Sequence, residues 1–266
     1  MRALLLSACL PAALLSACAT TTARTSEEQA LAASLDAASI VPSSIAEREA
    51  IRSQDLLTQA TFWAEALELN PGDQEAATEL SGILRQLGSS QRAAEIARQT
   101  LALYPDDPQL LFNYGSALAA SGRGAAAIEP LQRASDLEPT NWRPLNALGV
   151  AFEQAGQSEE ARLRFRQALT LAPDQSSILS NLALSYALDG DPDTAERLLR
   201  EAIIRPGADS TVRQNLALVM ALQGRFAEAE EMARVDVSPQ MAEANMDYVR
   251  AMLTSQRRWD ALRQDD

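Results

Sequence analysis

From Leu56 to Arg234, apolar residues recur at helical spacing in short segments, and the segments come in pairs whose pattern returns every 34 residues. One position of the repeat holds Leu80, Tyr114, Leu148, Leu182 and Leu216, at the spacing that fills the seam between two helices. The next position is always small: Ser81, Gly115, Gly149, Ala183 and Ala217. A second invariant position is Ala93, Ala127, Ala161, Ala195 and Ala229. Small residues at both places predict that a first helix (A) and a second helix (B) approach too closely there for a larger side chain. Gly88, Gly122, Gly156, Gly190 and Gly224 fall where helix A ends and the backbone must turn through positive φ. Pro71, Pro105, Pro139 and Pro173 close the units.

The register divides the chain into units 74–107, 108–141, 142–175 and 176–209, with a truncated fifth over 210–236. Residues 44–73 form a degenerate leading unit, in which Leu56–Leu69 reads as helix B. Asp107-Pro108, Asp191-Pro192 and Ser238-Pro239 each read as an N-cap followed by proline in the first helical position. Pro130 falls inside a helix B, where it costs one backbone hydrogen bond and predicts a slight kink. The fifth unit decays, with a short helix B over 225–234 and Asp236 at a place that is small or apolar elsewhere. Residues 237–266 then supply a capping helix and tail. The helix is expected over 239–254 with Met241, Ala244, Met246, Val249 and Leu253 on its packed side, and Trp259 and Leu262 are candidates for docking back.

The N-terminal segment follows a different pattern. Met1-Arg2 precedes an apolar run that is shorter than the roughly 20 residues of a spanning helix and reads as a secretion signal. Its end, Leu15-Ser16-Ala17-Cys18, resembles the lipobox of bacterial lipoproteins. That resemblance implies a signal peptide over 1–17 and acyl chains on Cys18; a plain cleaved signal with an incidental cysteine is the alternative. Ala19, rather than aspartate, points to the outer membrane by analogy with enterobacterial lipoproteins. Residues 18–43 read as a flexible tether with a loose helix over 27–39, giving a reach of about 25–30 Å.

Composition narrows the chemistry. The net charge is −13, and all 23 basic residues are arginine, with no lysine and no histidine. No basic stripe is available for nucleic acid, and docking on anionic lipid by charge is disfavoured. Both cysteines, Cys9 and Cys18, lie in the first 18 residues. Serine–histidine, cysteine–histidine, Schiff-base and P-loop arrangements are therefore impossible. Glu159-Glu160 and the acids among 228–231 read as helix-start charges that favour the macrodipole. The expectation is a protein that is not an enzyme, with no cofactor, no metal and no small-molecule substrate.

The 34-residue period with these glycines, alanines and prolines resembles the tetratricopeptide repeat. The resemblance implies an all-α solenoid of helix–turn–helix repeats forming a right-handed superhelix, whose A helices line a concave groove for an extended peptide or a partner helix. The matching groove positions are Asn113, Asn181 and Asn215 at the sixth place of their units, and Asn146 one place earlier. Phe112, Arg143, Glu153 and Gln214 share that wall. An amide both donates and accepts, so these asparagines suit a peptide backbone; they are equally readable as plain surface residues of such repeats. A chaperone-type clamp for a C-terminal carboxylate is disfavoured, since its lysines are missing.

The C-terminal run from Val212 to Val219, then Gly224-Arg225-Phe226-Ala227-Glu228-Ala229-Glu230, Asp236-Val237-Ser238-Pro239, Ala242–Leu253 and Trp259-Asp260-Ala261-Leu262-Arg263 is similar to the TadD family. These are tetratricopeptide lipoproteins of tight-adherence (Flp) pilus assembly. The similarity implies a lipoprotein on the periplasmic face of the outer membrane whose partner is the pilus secretin or its assembly factors. The alternative is a general scaffold lipoprotein for cell-wall machinery or outer-membrane protein insertion.

Overall fold

A computed structural model describes residues 44–264, with side chains up to 254. The signal peptide, Cys18, the tether with its helix over 27–39, and the side chains of Trp259 and Leu262 lie outside the described residues. Within that range the protein is all-α, with thirteen helices. They are α1 (Ile45–Ile51), α2 (Leu56–Leu69), α3 (Gln74–Gln86), α4 (Ser90–Leu101), α5 (Pro108–Ala120), α6 (Gly124–Leu137) and α7 (Trp142–Gln154). There follow α8 (Ser158–Leu171), α9 (Ser176–Leu188), α10 (Pro192–Ile203), α11 (Ser210–Leu222), α12 (Phe226–Ala233) and α13 (Pro239–Gln264).

Capping chemistry fixes where the helices start. Asp107 accepts from the Leu110 amide at 2.7 Å, and Asp191 accepts from the Thr194 amide at 3.0 Å. Ser238 accepts from the Met241 amide at 3.3 Å, and in all three cases proline takes the first helical position. The ends of the A helices share one device. Gly88, Gly122, Gly156, Gly190 and Gly224 have φ between 73 and 85°, which lets the next residue fold back onto the last turn. Five such amides donate to carbonyls five residues earlier: Ser89 to Leu84, Arg123 to Leu118, Gln157 to Phe152, Asp191 to Tyr186 and Arg225 to Met220. This is the Schellman bond, repeated five times.

Close A–B packing explains the small positions. A Cβ on Gly149 would stand 2.4 Å from the Phe165 ring, and one on Gly115 would stand 2.5 Å from Leu131. Ala93, Ala127, Ala161, Ala195 and Ala229 are fully buried on the facing helices. Pro130 is buried inside α6, which continues unbroken to Leu137.

Each B helix packs on its own A helix and on the A helix of the next unit. The A helices also touch one another in sequence, α3 to α5 to α7 to α9 to α11, whereas no two B helices of successive units touch. Helices in contact along one side only define a curved stack, so the A helices form the inner wall.

Both ends of the array are finished by elements that the repeat period does not predict. At the front, the short helix α1 is capped by Ser44 and Glu47 in a reciprocal box. Arg48 and Arg52 reach from it to Asp73, Glu75 and Glu79 around α3, and both guanidiniums lie over the buried Trp63 ring. At the back, α13 packs on α11 and α12 and runs to Gln264 rather than stopping at 254. Its packed stripe is Ala242, Met246 and Val249 with Leu253, while Met241 and Ala244 face solvent. The expected stripe is therefore rotated, because alanine at 242 permits a closer approach than methionine at 241.

Candidate functional site

The inner wall is built from the A-helix positions that face neither their own B helix nor the B helix of the preceding unit. One concavity opens on it, and a second lies at the C-terminal end of the array. The first lies across α3, α5 and α7, has a volume of about 410 Å³, and includes Arg85, Phe112, Ser116, Trp142, Arg143 and Asn146 in its lining. The second lies between the fifth unit and α13, has a volume of about 380 Å³, and is mostly apolar, with Leu218, Val237, Met246 and Tyr248 in its walls and Gln214 at its edge.

Aromatic faces and guanidiniums dominate the first concavity. Arg85 lies over Phe112 at 5.5 Å from the ring centroid, and Arg143 lies over Trp142 at 5.3 Å. Neither arginine has an ion-pair partner among the described residues, unlike most arginines of the array. Burial pulls the Arg85 guanidinium below its ordinary pKa.

The eight groove residues named from sequence separate into two groups. Phe112, Arg143 and Asn146 meet in the first concavity, and Gln214 borders the second. The other four take part in bonds between or within repeats. Asn113 is the clearest correction: it is only 1% exposed and cannot present its amide to a partner. Its Nδ2 donates to the Thr78 carbonyl and to Ser81 Oγ, both at 2.9 Å, and its Oδ1 accepts from Gln109. Asn181 donates to Asn146 Oδ1 at 3.0 Å, and Asn215 donates to Ser180 Oγ at 2.9 Å. Glu153 accepts from Ser158 and Ser185. The sixth place of a unit thus sits in the joint between successive A helices. An amide there ties one unit to the one before, since the donor finds a polar partner 32–35 residues earlier.

Arg85, Ser116 and Trp142 are among the lining residues that sequence alone did not single out. Arg85 stands at the twelfth place of its unit, where the later units have Ala119, Glu153, Ala187 and Ala221. Comparing units place by place marks it as the one basic residue at a place that is alanine in three of the five units, but its lack of a counter-ion is visible only in three dimensions.

Other acids are accounted for. Glu159 pairs with Arg162 at 2.6 Å, and Glu228 pairs with Arg225 at 2.5 Å. Each is held below the usual carboxylate range first by that arginine's hydrogen bond, as expected of ionised helix-start charges. Among the described residues no group of three or more acidic, histidine or cysteine side chains is placed to hold a metal ion, and no helix is long and apolar enough to cross a membrane.

Comparison with known proteins agrees with this architecture. No curated protein sequence matches the chain. Among solved structures, PilW, described as a widely conserved type IV pilus biogenesis factor, is 20% identical with a TM-score of 0.62, covering 74% of this chain and 94% of its own. PilF from Pseudomonas aeruginosa is 18% identical with a TM-score of 0.52, over 66% of this chain and 83% of its own. A thermophilic tetratricopeptide protein from Thermus thermophilus is 24% identical with a TM-score of 0.54, over 62% of this chain and 90% of its own. At these identities the likeness is one of fold. Tetratricopeptide-repeat models match residues 59–108, 83–141 and 146–211, and a further one matches 212–234. With more than half the sequence matched, and with the glycine turns and alanine contacts of every unit in place, the chain belongs to the tetratricopeptide-repeat family.

Proposed function

We propose that this protein is a non-enzymatic interaction scaffold, held on the periplasmic face of the outer membrane by acyl chains on Cys18, that assists assembly or localisation of the tight-adherence pilus secretin. The observation that carries the scaffold reading is the inner wall. It presents aromatic rings and unpaired guanidiniums in an open concavity, and its backbone polar groups are already satisfied within helices. Such a surface binds without transforming. The pilus assignment draws on the similarity to TadD in the C-terminal segment and on the shared fold with PilW and PilF.

Division of labour follows. Acylated Cys18 supplies the membrane address, the segment up to 43 supplies reach, and the array supplies partner choice. Anchoring concentrates the array at the membrane, so modest affinity suffices. In cells carrying Cys18→Ala, pili should be lost and the secretin misplaced, while the purified variant still captures the same partner. Normal piliation in that strain would remove the anchoring role.

A second reading is a scaffold for cell-wall machinery or outer-membrane protein insertion, because the repeat fold supplies a binding surface without fixing its guest. It predicts that deleting the chain leaves the secretin in place and changes cell-wall or outer-membrane protein content instead.

A further inference from the structure

The concavity across α3, α5 and α7 holds two buried polar atoms that have no hydrogen-bond partner. Arg85 Nε is buried and has no hydrogen-bond partner, and its guanidinium has no carboxylate among the described residues. Ser116 is 9% exposed, and its buried hydroxyl is likewise unpartnered. Arg143 adds a second guanidinium at the exposed rim. No aspartate or glutamate lines this space, although the chain carries 36 of them against 23 arginines.

Elsewhere most half-buried arginines of the array have a carboxylate, and Arg164, which has none, donates to the Gln167 side chain instead. Arg48 pairs with Asp73, Arg162 with Glu159, and Arg225 with Glu196. A desolvated charge and a buried hydroxyl left without partners are costly, and they are retained where something outside the chain completes them. A carboxylate matches both kinds of group: a guanidinium fork donates to its two oxygens, and a hydroxyl can donate a further bond. Neutral amide or hydroxyl ligands would satisfy the hydrogen bonds and leave the charge uncompensated.

We propose that this concavity is a carboxylate subsite that takes the side chain of an aspartate or glutamate in an extended segment of the partner protein, with a neighbouring apolar residue of that segment resting against Trp142 and Val150. The proposal rests on the scaffold reading and specifies the chemistry of the guest. With net charge −13, the remainder of the chain repels an acidic segment, so the cationic concavity sets both the register and the polarity of what binds.

The test is an array of short peptides with blocked termini, each carrying one central glutamate flanked by leucine or phenylalanine, printed beside its glutamine counterpart and probed with the purified chain. A second set carries the same apolar residues next to a free C-terminus. Glutamate peptides should be captured about tenfold or more better than glutamine peptides. The advantage should shrink as ionic strength rises. Arg85→Gln should erase the preference. Arg143→Glu, at an exposed site that does not hold the fold together, should abolish or invert it. Arg85→Lys should retain only part of it, because an ammonium keeps the charge and loses the fork.

Equal capture of glutamate and glutamine peptides, capture of none, or a preference that survives both charge-removing variants overturns the subsite. A preference for the free C-terminus over the internal acid overturns the assigned source of the carboxylate. Apolar capture without acid preference rejects the subsite and leaves the scaffold reading standing, which is judged separately by partner capture with the Cys18→Ala protein.

Discussion

Asn113 Nδ2 lies 2.9 Å from Ser81 Oγ on the preceding A helix, in a joint closed to solvent. Replacing Asn113 with alanine leaves the Thr78 carbonyl and the Ser81 hydroxyl short of their inter-repeat donor. The expected loss is about 1–3 kcal/mol of unfolding free energy, read by urea denaturation. Asn181→Ala, in a half-buried joint with a single bond to Asn146, should lose about 0.5–1.5 kcal/mol. Equal, negligible effects at both sites would return these amides to the surface role.

How the chain could be read, and where reading stopped, follows from the same joint. Period and residue size disclosed the helix pairs, because the Gly149–Phe165 approach and the Gly88 turn each demand one residue type at a fixed place. The asparagines obeyed the same period, but periodicity does not distinguish a side chain pointing into the groove from one pointing into the next helix. At the sixth place the difference is a modest rotation about the helix axis, and Asn113 falls on the inter-helix side. Arg85 was illegible for another reason. Its identity is plain, but the absence of an acid nearby is a property of three helices from three units. The α1 staple and the rotated stripe of α13 lie where the period ends, and only local chemistry remains to be read there.

Close approach at the small positions gives a second expectation. Gly149→Ala gains about 1 kcal/mol of helix propensity, but its Cβ would sit 2.4–2.8 Å from a buried aromatic ring that has nowhere to turn. Overpacking of this kind costs about 1–3 kcal/mol, so the net change is destabilising. Pairing it with Phe165→Leu should recover part of the loss. The control is Gly88→Ala, where nothing lies within 4 Å and only the positive φ of 76° is penalised. That variant should lose about 1–2 kcal/mol with no rescue from any neighbour. Thermal unfolding of the four proteins separates steric from backbone effects.

Acid should loosen the array from its two ends. Asp73 is held below the ordinary aspartate value of 3.8 chiefly by its hydrogen bond from Arg48, and Asp236 is held below it chiefly by Arg213, whose Nε donates at 2.8 Å. A carboxylate with a depressed native pKa contributes stability that is complete above the unfolded value and disappears as pH falls through the native value. The melting temperature is therefore expected to be flat near neutrality and to fall below about pH 4, as these groups protonate. Asp73→Asn and Asp236→Asn should each lower the neutral-pH melting temperature and flatten the acid slope. A slope identical to that of the parent would assign the acid sensitivity to other carboxylates.

The C-terminal helix is the array's water-facing end, and removing it tests whether the fifth unit can stand exposed. Ala242, Met246 and Val249 are buried on the side of α13 that packs on α11 and α12. The side of α13 carrying Glu243, Asp247 and Arg250 is exposed. A solenoid needs such a polar cap, because the apolar flank of each unit is otherwise finished by the next. A chain ending before Pro239 should melt several degrees lower and associate with rising concentration, since it uncovers an apolar face at the end of a stack built to add units there. The first four units should keep their helicity, because contacts in a repeat array reach only to neighbours. Light scattering and circular dichroism on the truncated chain would separate these effects. A monomer with unchanged melting would mean that α12 alone suffices as the terminus.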